Sequence, residues 1–270
     1  MNNFGPPQKF CIMVKISSVT VTLNEELNIE RCLGSVRDVV DEMIVVDSFS
    51  TDRTEEICLE NGAVFSKHPF AGYIEQKSYA ISLASHDYIL LIDADEALSD
   101  EMRDSIRKVK ENWTHDGYSF NRLNSFCGKW IKHSGWYPDR KVRLFDRRKN
   151  TVKGRNPHEE FVMNAGATLK HLKGDLLHYT YLTVEDQVRQ IDRFTAIQAR
   201  EAFARGKKAS WFLILFGPCY KFFRHYFLRL GFLDGFYGYL ICKNMAHSTF
   251  LKHAKLKALW IREKGIGKNN

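Results

Sequence analysis

A chain of 270 residues, 44% hydrophobic and 27% charged, can bury a sizeable core, and this composition excludes wholesale disorder. Its six cysteines are scattered and none stand at C-x-x-C spacing, so neither a structural zinc site nor a disulfide framework is expected. Reduced thiols in a cytosolic compartment are the default. The formal charge of +8 is uneven: from Arg205 onward thirteen Lys and Arg stand against Asp234 and Glu263, a net +11, which leaves −3 for all that precedes. A nearly neutral body thus carries a basic end, and its partner should be an anionic surface, lipid head groups before nucleic acid. No secretory signal is expected in Met1 to Phe10, and no apolar run is long enough to span a bilayer.

In chain order, Ile16 to Leu23 alternates and is β-branched, as a first strand should be. Asn24 is then a candidate N-cap for a helix whose apolar positions are Leu27, Ile29, Cys32, Leu33 and Val36. Glu42 to Asp47 reads as a second buried strand. A polar turn from Ser48 to Thr54 leads into a helix stopped at Asn61-Gly62. Ala63 to Phe65 gives a third strand, and a helix from about Tyr73 to Ala84 follows, with Gln76 and Lys77 placed to face a cleft. Tyr88 to Ile92 is apolar without alternation, which predicts a strand buried on both faces. A helix capped by Ser99 runs to about Asn112. From Gly117 the alternation breaks into strands at Tyr118–Phe120 and Lys141–Phe145, a mixed or antiparallel extension of the sheet. Thr183 to Asp186 resembles a capping box opening a helix to about Ala204.

Strand–helix alternation with short connections predicts an α/β fold, a mostly parallel sheet with helices on both faces. Three strand ends carry polar clusters: Thr22/Asn24/Glu25, Asp47/Ser48/Asp52 and Asp93/Asp95. Parallel strands bring such ends to one edge, where ligands bind in open α/β sheets. Two carboxylates one residue apart in Asp93-Ala94-Asp95-Glu96 can present oxygens to a hard divalent cation, Mg²⁺ or Mn²⁺, which in turn holds phosphate. No G-x-G-x-x-G or G-x-x-x-x-G-K-[ST] follows the first strand, which argues against a dinucleotide-binding Rossmann protein and a P-loop NTPase.

Taken together, T-x-N-E-E at Thr22–Glu26, V-V-D-S-x-S-T-D-x-T at Val45–Thr54 and D-A-D-E at Asp93–Glu96 resemble family 2 glycosyltransferases of the GT-A fold. Trp136 to Asp139, Lys141 to Arg148, His158-Glu159, His178 and Gly231 to Gly235 resemble the branch that extends bacterial lipopolysaccharide core, the core β-glucosyltransferases. The resemblance implies a nucleotide pocket lined by Thr22, Asn24 and Glu25, with Asp47 on the base or ribose and Ser48 and Asp52 nearby. It implies Asp93 at the ribose and metal, and Asp95 as direct metal ligand. His178 would complete the metal shell or touch the diphosphate. Inverting transfer needs a carboxylate base for the acceptor hydroxyl. Glu159 is the candidate, and Glu160 is its rival because the family's commoner pattern is an E-D pair where this chain has His158-Glu159-Glu160; alternation would put only one of them on the cleft side of a strand. Trp136, Arg140, Arg143 and His158 are candidates for the acceptor, with Arg147 and Arg148 as easily solvated charge.

The basic end is also aromatic. Trp211 to Phe216 is apolar, Gly217-Pro218 is expected to break it, and Lys221, Arg224 and Arg229 follow among Phe, Tyr and Leu. This pattern reads as interfacial helices on a membrane surface, or as an oligomer contact. The expectation is a GT-A domain over 1–204 and a membrane-associated helical segment over 205–270. The expected enzyme moves a sugar, glucose favoured, from a UDP-linked donor to a lipid-linked core glycan, at the cytoplasmic face of a bacterial inner membrane and without nucleic acid. A homo-oligomer is left open. The competing readings are a polyprenyl-phosphate glycosyltransferase, whose acceptor needs no base, a sugar nucleotidyltransferase, which normally carries a Gly-rich basic loop here, and a non-catalytic membrane adaptor.

Overall fold

The structure is a computed structural model that describes residues 13–155 and 158–266, with 150–162 and 264–266 described by backbone alone. Four strands form its parallel half: β1 (Ile16–Thr22), β2 (Glu42–Asp47), β3 (Val64–Lys67) and β4 (Tyr88–Leu91), in the order β3-β2-β1-β4. The register sets Thr22 beside Asp47 and Val19 beside Leu91, so the polar strand ends do share one edge. Three helices connect them: α1 (Ile29–Val36), α2 (Thr54–Glu60) and α3 (Tyr73–Ser82).

The core shows why β4 has no polar alternation. Leu90 packs with Cys32 and Val36 of α1 and with Met102 and Ile106 of α4 (Asp100–Glu111), whereas Ile89 and Leu91 pack on the other side with Ala80 of α3. All three β4 residues are fully buried, so each face of the strand is covered by helix. Ser99 caps α4, its hydroxyl accepting from the Met102 N–H at 3.3 Å.

Beyond β4 the sheet turns antiparallel, as the break in alternation predicts. β8 (Asp139–Asp146) runs against β4, followed by β6 (Gly117–Phe126), β11 (Leu169–Tyr181) and β5 (Glu96–Leu98), while β9 (Asn150–Arg155) and β10 (His158–Met163) form a separate ribbon. β7 (Lys129–Ile131) pairs with the end of β6. The mixed sheet with helices on both faces agrees with the expected class. Two details differ. Asn24 is not a helix cap: Asn28 stands at that position, and Asn24 adopts a left-handed backbone (φ 54°) with its Oδ1 accepting from the Thr51 N–H. β5 was read as part of an acidic turn, and it pairs instead with β11.

The chain divides into two compact units, one of residues up to 122 with 140–178, the other of 123–139 with 179 onward. In the second, α5 (Val184–Ala204) opens with the predicted capping box: Thr183 Oγ1 accepts from the Asp186 N–H, and the Asp186 carboxylate accepts from Thr183. The compositional boundary at 204/205 falls at the end of this helix. α6 (Trp211–Phe223) runs straight through Gly217-Pro218, contrary to the expected break. Proline forfeits one backbone hydrogen bond, and packing along α7 (Gly235–Ile266) holds the helix together regardless. A π-helical turn, 224–228, and a 3₁₀ turn, Gly231–Asp234, join α6 to α7. There the buried Asp234 accepts from the N–H of His133 and from its ring Nδ1, at 2.9 and 3.0 Å. Among the described residues no helix is long and apolar enough to cross a membrane.

Two glycines test this packing in opposite directions. A Cβ on Gly238 would collide with the Gly231 carbonyl oxygen, whereas one on the exposed, helical Gly34 would meet nothing. Gly34→Ala should raise the unfolding free energy by about 1 kcal/mol, and Gly238→Ala should lower it by about 2 kcal/mol, both read from urea unfolding.

Candidate active site

The loops after β1 and β2 are stitched to each other. The Asn24 N–H donates to Ser50 Oγ, the Glu25 N–H to Thr54 Oγ1 and the Glu26 N–H to Asp52 Oδ2, at 2.7, 2.9 and 3.1 Å. The Arg53 N–H returns a bond to Glu26. Asp47 is fully buried and accepts from the backbone and hydroxyl of Ser50, while Asp52 also accepts from Thr54. Asn24, Asp47 and Asp52 therefore shape the loops on which they stand. Thr22 Oγ1 is buried with no hydrogen-bond partner among the described residues. Burial pushes the Glu25 carboxyl above the usual carboxylate range, with the Asn28 amide opposing and the charges of Asp95 and Asp52 adding to the rise.

Gln76 and Lys77 do reach the strand ends, as their position on α3 implied. The Gln76 amide donates to Ser48 Oγ at 3.1 Å and to the His68 carbonyl. Lys77 Nζ lies 2.9 Å from Asp93 Oδ1, and the Arg143 guanidinium lies 2.7 Å from Asp93 Oδ2. Arg143 also pairs with Glu96 at 3.0 Å. Glu96 is 1% exposed and accepts from the Asp93 N–H, and Arg122 stands 3.5 Å away. Desolvation alone would raise the Asp93 pKa, but the adjacent Arg143 and Lys77 charges outweigh it and hold the carboxyl well below its usual range. Arg143 is likewise held protonated by Asp93 and Glu96 against its own burial.

Arg143, expected at the acceptor, is a buried member of this cluster. Asp93 likewise has both carboxylate oxygens engaged by cations. Glu96 stands in the D-A-D-E motif with no role expected of it, and nothing in the sequence pointed to Arg122. The signal for Glu96 was the apolar Ala97-Leu98 that follows it, the rest of a short buried strand that Glu96 begins.

Asp95 and His178 lie 83 residues apart in sequence, and the pairing of β5 with β11 places His178 beside Glu96. The result is an Asp95 Oδ2 to His178 Nε2 distance of 3.1 Å. Among the described residues no group of three or more His, Cys, Asp or Glu side chains gathers to hold a metal. The donor set still fits a divalent cation: one carboxylate oxygen and one imidazole nitrogen suit Mn²⁺ or Mg²⁺ when the remaining positions are filled by phosphate oxygens and water.

Of the other expected contacts, Arg140 is exposed, and Trp136 packs in the second unit edge-on to Phe126. Arg147 and Arg148 pair with Asp87, and Arg148 also with Asp146. His158, Glu159 and Glu160 lie on β10, opposite Arg155, Gly154 and Lys153, and their side chains fall outside those described.

The family described as Glycosyl transferase family 2 matches residues 17–170, more than half of the chain and the whole of this carboxylate cluster. The chain belongs to glycosyl transferase family 2. Two relatives match over nearly the full length. An uncharacterized glycosyltransferase of Rickettsia felis is 33% identical over 94% of this chain and 93% of its own. The lipopolysaccharide core biosynthesis glycosyltransferase LpsC of Rhizobium meliloti is 26% identical over 89% and 91%. Glucosyl-3-phosphoglycerate synthase of Mycobacterium tuberculosis, solved with Mn²⁺, UDP and glucosyl-3-phosphoglycerate, is 26% identical over 42% of this chain and 44% of that one, with a TM-score of 0.34.

The ionic cluster of this glycosyltransferase can be tested by stability. Arg143→Met leaves the buried Glu96 without its nearest cation and should cost about 3 kcal/mol in urea unfolding. Asp93 is a group with a depressed folded-state pKa. Its contribution is therefore present above the unfolded carboxylate pKa of about 3.9 and is lost as pH falls below it. The stability gap between wild type and Asp93→Asn should accordingly be wide at neutral pH and narrow on acidification toward pH 3.

Proposed function

We propose that this glycosyltransferase is a metal-dependent, inverting hexosyltransferase that moves a sugar, glucose favoured, from a UDP-linked donor to a hydroxyl of a lipid-linked lipopolysaccharide-core glycan, at the cytoplasmic face of the inner membrane. The observation that carries the donor half is the Asp95–His178 pair, 3.1 Å apart and set beside an Asp93 that two cations hold ionised. The acceptor class is supported by the full-length similarity to LpsC and by the sequence resemblance to core glucosyltransferases.

In this reading Asp95 and His178 hold the cation, which when bound supplies Lewis-acid neutralisation of the charge on the departing diphosphate. Thr22, Glu25, Asp47 and Ser48 line the nucleotide pocket, and Lys77 lies toward the diphosphate. The acceptor oxygen forms its bond to the anomeric carbon as the bond from that carbon to the phosphate oxygen breaks. The electron pair leaves with the nucleoside diphosphate. The hydroxyl proton passes to Glu159 or Glu160, which requires one of the two to face the cleft from β10. Attack opposite the leaving group turns an α-linked donor into a β-linked product, with no covalent intermediate.

Transfer from a UDP-hexose panel to lipid-linked core glycan should yield a β-linked product. Of Glu159→Gln and Glu160→Gln, one should lower kcat by about 10²-fold or more with nucleotide affinity unchanged. An unaffected kcat in both variants would favour an acceptor that is already anionic, such as a polyprenyl phosphate.

A further inference from the structure

Large exposed apolar side chains crowd into the second unit. Along α6, Phe212, Leu215, Phe216, Tyr220 and Phe223 recur at intervals of three and four and are 52–68% exposed. Soluble proteins rarely leave so apolar a face in water without an occupant. Beside it, between α6 and α7, lies a groove of about 530 Å³. Its walls are Ile214, Leu215 and Pro218 from α6 and Ala246 and Phe250 from α7, and its polar members are Lys243, Asn244 and His247, with no carboxylate.

The charges around this face share one sign. Lys221 lies among Arg224, Arg229 and Lys252, and its ammonium is pushed below the ordinary lysine range first by burial and then by those three charges. Among the described residues no carboxylate comes within ion-pair distance of Lys221, Arg224, Lys243 or Lys252. Cations also sit over rings, Lys257 Nζ 5.6 Å from the centroid of Trp211 and Lys243 Nζ 5.9 Å from that of Phe222. Aromatic and aliphatic groups interleaved with long cationic side chains match the chemistry of a bilayer interface, where the apolar part enters the acyl boundary and ammonium groups reach phosphate. A second copy of the chain fits less well, because a two-fold contact on this face would set the same cations against each other.

We propose that the α6–α7 face docks on anionic phospholipid, with the Phe212–Phe223 stripe in one leaflet, an acyl chain in the groove, and Lys221, Arg224 and Lys243 on headgroup phosphates. This deepens the membrane part of the proposed function and does not depend on the donor chemistry.

The test is co-flotation of the full-length protein with phosphatidylcholine vesicles, with and without phosphatidylglycerol. The stripe variant is Phe212→Ser with Phe216→Ser, the charge variant Lys221→Glu with Arg224→Glu, and the groove variant Leu215→Asp. Wild type should partition onto anionic vesicles about tenfold or more over neutral ones. Tryptophan emission should shift to the blue and be quenched by brominated lipid. Each variant should lose binding about tenfold, while its circular dichroism and UDP affinity stay those of wild type. Equal partition onto neutral and anionic vesicles, no partition at all, or variants that bind like wild type would overturn the proposal. So would a dimer that the stripe variant dissociates in the absence of vesicle binding, which would assign the face to a second copy. UDP binding without vesicle binding removes the docking surface alone. Vesicle binding without UDP binding leaves docking standing and removes the transferase reading.

Discussion

Arg143 is 7% exposed and sits between Asp93 and Glu96, with Lys77 closing Asp93 from the other side. Burying a guanidinium is costly unless it is paired in good geometry. Here the pairing ties three elements together: β8 through Arg143, α3 through Lys77, and the turn between β4 and β5 through Asp93 and Glu96. That turn carries Asp95. With Glu96 accepting from the Asp93 N–H and starting β5, the β5–β11 pairing brings His178 to Asp95. The carboxylate–imidazole pair therefore depends on this charge cluster.

The same arrangement separates the two aspartates chemically. Asp93 is held ionised by two cations and has both oxygens engaged, whereas Asp95 meets the His178 imidazole and lies near the Glu25 carboxyl. A single short acidic motif thus contains one carboxylate paired with two cations and one paired with an imidazole. The stitched β1 and β2 loops repeat the theme, since Asn24, Asp47 and Asp52 use their side chains to hold backbone N–H groups of neighbouring turns and so fix the pocket wall beside Thr22 and Glu25.

Much of this was legible in the sequence where local physics decides. The unbroken apolar run of β4 required burial on both faces, and α1/α4 and α3 supply it. Ser99 and Thr183 cap helices because their hydroxyls accept from first-turn N–H groups that lack a carbonyl partner within the helix. What local reading missed depends on distant partners. Asn24 has the composition of a cap, but the Thr51 N–H competes for its oxygen. Pro218 has the signature of a breaker, but α7 packs along α6 and outweighs one lost hydrogen bond. Glu96 looks like solvated charge until Arg143, 47 residues later, is folded beneath it. His178 was reached through family resemblance, because no spacing rule links it to Asp95.

The most direct test is calorimetric titration of UDP into the purified protein with and without Mn²⁺, repeated on Asp95→Ala and His178→Ala. Tight UDP binding that requires Mn²⁺, and that either substitution weakens about tenfold or more, is the predicted result. Mn²⁺-independent binding, or metal-dependent binding that survives both substitutions, would contradict the assignment of Asp95 and His178 as the cation-holding pair.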